Sequence, residues 1–208
     1  MSLIHFFFPK TIHLPDTDFN QNISVTLWST EEPTLIANGL IQSGSIMKSI
    51  WSKGVRLLVP KKFKPKKILL LGLGTGSNAR LVRKLYPDSR ITAVEIDPGM
   101  VEIAKKYCGL NKITDLKVID ADAFDYVHSL HEEFDLTLVD CFEGKYIPKK
   151  LEQLSFFTDL KSHSRYVLIN RLYHAEHIAD TLAFMSSLAT KLPFIKIHTR
   201  TNLIISLV

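Results

Sequence analysis

We predict an α/β fold in which a doubly wound, mostly parallel, seven-stranded sheet ends in an antiparallel hairpin. Three observations support this fold class. An apolar run that begins at Ile68 breaks into glycines and then into a helical stretch. Strand and helix patterns alternate from there to residue 192, as they do in doubly wound sheets. Only Arg200 and Thr201 separate the last two predicted strands, a connection too short for a parallel crossover.

The chain has 208 residues, of which 46% are hydrophobic and 23% charged. That length suits one α/β core with a small extension. We therefore predict two units, an N-terminal extension at residues 1–60 and a main domain at residues 61–208. The extension alternates at a period of two over residues 23–29, and Asn38-Gly39 lies between apolar runs, which predicts a β-hairpin. A helix at residues 45–58 follows it.

The main domain is expected to alternate strand and helix. Predicted strands lie at residues 68–73, 90–95, 116–119, 134–140, 166–170, 194–199 and 202–208, with helices at residues 77–86, 98–107, 123–130, 148–160 and 175–192.

Several features narrow the functional class. The apolar run at residues 3–8 is too short to cross a membrane and lacks the marks of a leader, so we expect a cytoplasmic protein and no membrane partner. Cys108 and Cys141 are predicted to be reduced thiols, and no metal site is recognisable. Much of the net charge of +5 lies at residues 61–67, which a solvated linker explains better than an RNA-binding surface.

The glycine loop provides the first functional prediction. Gly72, Gly74 and Gly76 follow the first core strand as G-x-G-x-G, with Thr75 between the last two. Glycines allow a ligand to approach the main chain, and the helix start offers free N–H groups, so this loop is predicted to hold a nucleotide-like ligand. The dinucleotide fingerprint is G-x-G-x-x-G, and a tight turn without a ligand is the alternative.

Acidic residues at the strand ends extend this prediction. Glu95 lies about twenty residues beyond the glycine loop, where a carboxylate can accept from both ribose hydroxyls. Asp97 precedes Pro98 and is explained as a helix N-cap. Asp122 either accepts from an adenine amine, with the backbone of Ala123 at the ring edge, or caps the next helix.

Asp140 and Glu143 follow the fourth core strand. There a carboxylate could orient or deprotonate an amine or hydroxyl nucleophile, and these two are the predicted catalytic residues. Ordinary loop carboxylates are the alternative for both. An α/β sheet that ends in an antiparallel hairpin is the arrangement of S-adenosylmethionine-dependent transferases, a Rossmann-like methyltransferase fold, and their ligand lies beyond these strand ends.

With these positions in place, the chain resembles the spermidine synthase family of that fold. Asn38-Gly-Leu-Ile-Gln42 is similar to the family's Asp-Gly-Val-Ile-Gln, and the similarity continues through Leu71-Gly-Leu-Gly-Thr-Gly76, Val94-Glu-Ile-Asp97 and Asp122-Ala-Phe124 to Leu138-Val-Asp140. The resemblance implies that Gln42 contacts the adenosyl part or the substrate, Glu95 the ribose, Asp122 the adenine and Asp140 the amine. It also implies a homodimer formed through the N-terminal β unit.

Three departures from the family pattern bear on the reaction. The family's loop is Gly-Gly-Gly-Asp-Gly, where this chain has Thr75, and its Asp-x-x-Asp corresponds here to Asp140-Cys-Phe-Glu143. Its Tyr-His-Glu has no counterpart at residues 49–53. Loss of an anion from a polyamine site is costly, so these departures favour methyl transfer from S-adenosylmethionine to a small-molecule or protein amine or hydroxyl.

Two other functions stay open at this point. One is aminopropyl transfer from decarboxylated S-adenosylmethionine, and the other is a nucleoside-binding module without catalysis. A nucleic-acid substrate is disfavoured, because no Asp/Asn-Pro-Pro-aromatic sequence follows the fourth core strand.

Overall fold

The computed structural model describes residues 9–29 and 32–208 and contains two sheets. Four antiparallel strands form the first, in the order β1-β2-β3-β4: β1 Lys10–His13, β2 Ser24–Leu27, β3 Thr34–Ala37 and β4 Leu40–Ile41. The second has the order β10-β11-β9-β8-β5-β6-β7: β5 Lys67–Leu71, β6 Arg90–Glu95, β7 Leu116–Asp120, β8 Phe134–Val139, β9 Ser164–Leu172, β10 Phe194–Thr199 and β11 Asn202–Leu207. The apolar run at residues 3–8 lies outside the described residues.

Six α-helices are described: α1 Ser45–Leu58, α2 Ser77–Leu85, α3 Pro98–Cys108, α4 Ala123–His128, α5 Leu154–Ser162 and α6 His177–Leu188. None of these helices is long and apolar enough to cross a bilayer.

The seven-stranded sheet confirms the predicted fold class. Strands β5 to β9 pair in parallel, and β11 runs antiparallel to both β9 and β10. Successive β5 residues face opposite cores: Ile68 packs into the core that includes Trp51 of α1, and Leu69 into the core that includes Phe156 of α5. From β5 the chain moves outward to β6 and β7, and then returns to the other side with β8. A ligand crevice is expected at this reversal.

The N-terminal unit is larger than a hairpin. Asn38 and Gly39 have positive φ angles of 53° and 74° and make the predicted turn, but β1 adds a further strand to β2. Val25 and Leu35 are buried in a small core that Met100 of α3 completes. The division of the chain near residue 60 and dimerisation through this unit stay predictions.

One predicted helix is interrupted in the structure. In place of a helix at residues 148–160, a 3-10 turn at Lys149–Glu152 precedes α5. Gln153 between them is extended, with φ −69° and ψ 140°. Apolar spacing does not reveal this break, because Leu151 and Phe157 are both buried on either side of it.

Candidate functional site

A cavity of about 350 Å³ lies where the strand order reverses. The N-terminal sheet, the glycine loop and the carboxyl ends of four core strands contribute to its wall. Its lining includes nine of the ten residues predicted to bind the ligand or catalyse: Gln42, Gly72, Gly74, Thr75, Glu95, Asp122, Ala123, Asp140 and Glu143.

The tenth, Gly76, does not line the cavity. Its φ is +81°, and a Cβ there would lie 2.6 Å from the Cδ1 atom of Leu110. Gly76 is therefore required by the turn and by close packing at the start of α2, and its contact with the ligand stays a prediction. The motif spacing locates the loop but does not show which glycine faces the ligand.

The other two glycines differ in what surrounds them. Gly72 has a φ of +84°, and a Cβ there would collide with the carbonyl oxygen of Asp140. Gly74 has a φ of +51°, and a Cβ there would meet nothing within 4 Å. The main chain at Gly74 thus borders open space, as a ligand-binding loop requires. Thr75 is buried, with its hydroxyl 3.4 Å from that of Ser77.

Glu95 braces the glycine loop. Its Oε2 atom accepts hydrogen bonds of 2.9 Å from the N–H groups of Leu73 and Gly74. Its Oε1 atom accepts from the N–H groups of Ile96 and Asp97, at 3.1 and 3.2 Å. The carboxylate therefore couples the ends of β5 and β6 at the wall of the cavity. Its contact with a ribose stays a prediction.

Asp122 caps α4. Its Oδ1 atom accepts from the N–H of Phe124 at 2.8 Å, and its Oδ2 atom accepts from the Lys150 ammonium at 2.6 Å. Burial raises the pKa of Asp122, but the hydrogen bonds from Lys150 and Phe124 outweigh it, so the pKa lies below its ordinary value. Asp122 is thus an ionised acceptor at one end of the cavity, and its role with adenine stays a prediction.

Asp140 follows β8 and is held by three N–H donors. Trp51 Nε1 and Asn78 Nδ2 donate to its Oδ2 atom, and Asn170 Nδ2 donates to its Oδ1 atom, each at 2.8 Å. Burial raises the pKa of Asp140, and the three hydrogen bonds partly oppose that rise. Within the described part of the chain, no cation is among the groups that shift this pKa. Asp140 is a half-buried acid, and none of the described cations pairs with its charge.

Gln42 and Glu143 also lie at the cavity. Gln42 follows β4, where its N–H donates to the carbonyl of Leu35 at 2.9 Å. Glu143 is exposed, and its main chain exchanges hydrogen bonds with Tyr146 in a tight turn. No group of three His, Cys, Asp or Glu that could hold a metal ion occurs among residues 9–29 and 32–208.

Sequence analysis missed the three donors to Asp140. Asn170 lies near the carboxyl end of β9, a position at which ligand-facing side chains are expected, so its place was a usable signal. Asn78 opens α2 just after the glycine loop. Trp51 lies in α1 and is separated by 89 residues from Asp140, and no local pattern indicates that contact.

Comparisons with known proteins agree with this architecture. Residues 55–195 match the family model described as "Spermine/spermidine synthase domain". A polyamine aminopropyltransferase of Vibrio vulnificus is 33% identical over 122 residues, which are 56% of this chain and 41% of that protein. Polyamine aminopropyltransferase 2 of Aquifex aeolicus is 30% identical over 167 residues, 76% of this chain and 33% of that protein. The chain thus spans less than half of the length of these relatives.

Solved structures support the fold. A spermidine synthase in complex with the transition-state analogue AdoDATO superposes with a TM-score of 0.69 at 15% identity, covering 97% of this chain and 72% of that one.

The preference for methyl transfer is wrong. The family model is that of spermine/spermidine synthases, and the two relatives above, which match 56% and 76% of this chain, are polyamine aminopropyltransferases. A mouse protein named eEF1A lysine and N-terminal methyltransferase matches over only 80 residues, 36% of this chain, at 41% identity. Thr75 removes one carboxylate from the loop, but the carboxylates of Glu95, Asp140 and Glu143 still line the cavity. The chain belongs to the spermine/spermidine synthase domain family.

Proposed function

We propose that this chain transfers an aminopropyl group from decarboxylated S-adenosylmethionine to a primary amine of the polyamine class. One observation carries the proposal: Asp140 is a half-buried acid held by three N–H donors, and its charge has no counter-ion among the residues that the structure describes. Withdrawing an anion from water without a partner is costly, and an amine substrate that arrives as a cation would relieve that cost. The family and the relatives described above support the same reaction.

Other groups at the cavity suit the adenosyl part of the donor. We propose that the open main chain at Gly74 borders the donor, that Glu95 accepts from its ribose hydroxyls and that Asp122 accepts from its adenine amine. Gln42 would contact the region where the adenosyl part meets the acceptor. The bonds already made by Glu95 hold the glycine loop in position for this, since they fix the N–H groups on either side of the turn.

The donor's sulfonium supplies an electrophilic methylene carbon, so the chain has to hold the nucleophile in line with it and take up a proton. An alkyl amine has a pKa of about 10 and arrives protonated at neutral pH. Burial raises the pKa of Asp140, which suits this carboxylate to accept that proton. The C–N bond then forms as the C–S bond breaks, methylthioadenosine leaves with the sulfur electron pair, and the proton passes from Asp140 to water.

The test combines two donors with a set of acceptors. Purified protein is incubated with decarboxylated S-adenosylmethionine or with S-adenosylmethionine, and with diamines and triamines. We expect methylthioadenosine release together with an aminopropylated amine from the decarboxylated donor alone. Asp140→Asn keeps the side-chain shape, and its kcat should be lower by a factor on the order of 10² to 10⁴.

Exposed Asp88→Asn serves as the matched control, because it removes one carboxylate far from the cavity lining. Absence of product with every amine would overturn the proposal. So would an Asp140→Asn variant that is as active as the wild type.

A further inference from the structure

Three exposed apolar side chains line one cavity. Of the large apolar residues that are exposed in the described chain, Phe19, Ile41 and Ile96 are 42%, 45% and 38% exposed, and all three belong to the wall of the cavity that holds Glu95 and Asp140. Apolar surface that converges on a cavity is typical of a ligand site. Ile96 follows Glu95 directly, so this apolar surface lies beside the proposed ribose contact.

The segment that carries Phe19 is fastened to the main sheet. The Thr17 hydroxyl and the Asn20 amide both donate to Oδ2 of Asp97, at 2.5 and 2.6 Å. Asp97 is buried, and its Oδ1 atom caps α3 through the N–H of Met100. Residues on both sides of Phe19 are therefore held by one carboxylate, about eighty positions away in the sequence.

Two further contacts join this segment to the ligand-facing groups. The N–H of Asp97 donates to Oε1 of Glu95, whose other oxygen holds the glycine loop. On the opposite side, Asn38 Nδ2 donates to Oδ1 of Asn20 at 3.0 Å, which connects the segment to the hairpin that leads to Gln42. Phe19 is thus held between the two parts of the chain that the proposed function assigns to the adenosyl donor.

We propose that Phe19 covers the nucleobase of the donor and contributes to the binding affinity for adenosyl compounds. The inference rests on the proposed function in that it takes the cavity to be the donor site. A phenyl ring offers a flat apolar surface with few rotamers, and stacking on an aromatic ring suits any planar base. The bonds from Thr17 and Asn20 to Asp97 fix the segment before the ligand arrives, which reduces the ordering cost of binding.

The test measures methylthioadenosine affinity by calorimetry in the wild type, Phe19→Ala and Phe19→Tyr. We expect about tenfold weaker binding in Phe19→Ala, the order seen when one aromatic–base stack is lost. Phe19→Tyr keeps the ring and should bind within about twofold of the wild type. The KM for the amine acceptor should stay unchanged in both variants, since the ring is assigned to the base alone.

Trp28→Ala is the matched control, because Trp28 directly follows β2 of the N-terminal sheet, is 43% exposed and does not line the cavity. It should bind methylthioadenosine as the wild type does. Equal affinity in Phe19→Ala and the wild type would overturn the inference while leaving the proposed function intact. If the wild type binds neither methylthioadenosine nor the decarboxylated donor, the proposed function itself fails.

Discussion

Trp51 Nε1 donates to Oδ2 of Asp140 at 2.8 Å, and this bond joins α1 to the carboxyl end of β8. The indole is fully buried, so its N–H requires a partner within the protein. Asp140 supplies that partner and is oriented by it. Residues 49–53, where the family's Tyr-His-Glu has no counterpart, therefore contribute a contact to Asp140, the proposed proton acceptor.

Replacing this donor should change the pH dependence of the reaction. Trp51→Phe removes a hydrogen bond that favours the charged form of Asp140, so the pKa of Asp140 should rise further. Because the proposed function makes the ionised carboxylate the proton acceptor, the acid limb of the kcat/KM profile should move to higher pH. The free energy of unfolding should fall by about 1–3 kcal/mol, from the lost bond and the smaller ring. Trp28→Phe is the control, and an unmoved acid limb would contradict the proposed role.

The raised pKa of Asp140 also predicts a dependence of stability on pH. The folded carboxyl keeps its proton to higher pH than the unfolded one, whose pKa lies near the ordinary value of 3.8. Its contribution to the free energy of unfolding is thus fully present below that value and is lost as pH rises through the folded pKa. In Asp140→Asn this decline should disappear. Urea unfolding of the wild type and Asp140→Asn across that pH range measures this difference, with Asp88→Asn as control. If the free energy of unfolding depends on pH in the same way in the wild type and in Asp140→Asn, the prediction is wrong.

The two glycines that line the cavity should differ in their tolerance of a methyl group. Gly72→Ala forces a left-handed φ and a collision with the main-chain carbonyl of Asp140, whose N–H is bonded to Leu71. We expect a loss of about 3 kcal/mol or more in the free energy of unfolding, with loss of nucleoside binding. Gly74→Ala meets open space and should cost about 1 kcal/mol, from φ alone. If chemical denaturation shows the same loss in the free energy of unfolding for Gly72→Ala and Gly74→Ala, the close approach of the Asp140 carbonyl to Gly72 does not determine the cost of a methyl group.

The sequence predicts local structure well because local patterns encode it. Periodicity identifies α1 with its observed bounds, and the Asn38-Gly39 pair identifies its turn, since both signals lie within a few neighbouring residues. Strand ends place Glu95 and Asp140 at one edge of the sheet for the same reason. The rule that ligands bind at the carboxyl ends of parallel strands then locates the cavity.

What the sequence does not predict depends on distant contacts. The donors to Asp140 are 89, 62 and 30 residues away from it, and Thr17 is 80 residues from Asp97. No spacing rule links such positions. The preference for methyl transfer was wrong for a related reason: it compared short motifs one at a time, whereas the charge of the cavity is a property of residues from several strands.

Asp122 should decide which base is accepted. A carboxylate accepts from the amine of adenine and repels the carbonyl oxygen of hypoxanthine, so the wild type should bind methylthioadenosine at least about tenfold more tightly than methylthioinosine. Asp122→Asn can donate to that oxygen and should reduce the preference to about twofold. Asn is also a good N-cap, so α4 should be retained and the free energy of unfolding should change by less than about 1 kcal/mol. If calorimetry shows that Asp122→Asn prefers methylthioadenosine over methylthioinosine as strongly as the wild type does, Asp122 does not contact the base.

Gly99 and Thr17 provide a test of whether the N-terminal segment positions Phe19. A Cβ at Gly99 would collide with Cγ2 of Thr17, the side chain that donates to Asp97. Gly99→Ala should therefore displace the segment and weaken methylthioadenosine binding about fivefold, while the better helix propensity of Ala offsets part of any stability loss.

Thr17→Ser removes the colliding methyl group and keeps the hydroxyl, so the double variant Thr17→Ser, Gly99→Ala should bind nearly as the wild type does. Thr17→Ser alone should be close to neutral, which makes the coupling between the two sites large and measurable in a double-mutant cycle. Two results would contradict this prediction: wild-type affinity for methylthioadenosine in Gly99→Ala, or a failure of Thr17→Ser to restore the affinity that Gly99→Ala loses. Because relief of the collision is the single change that the second substitution makes, either result would show that the attachment of this segment to Asp97 does not govern the donor site.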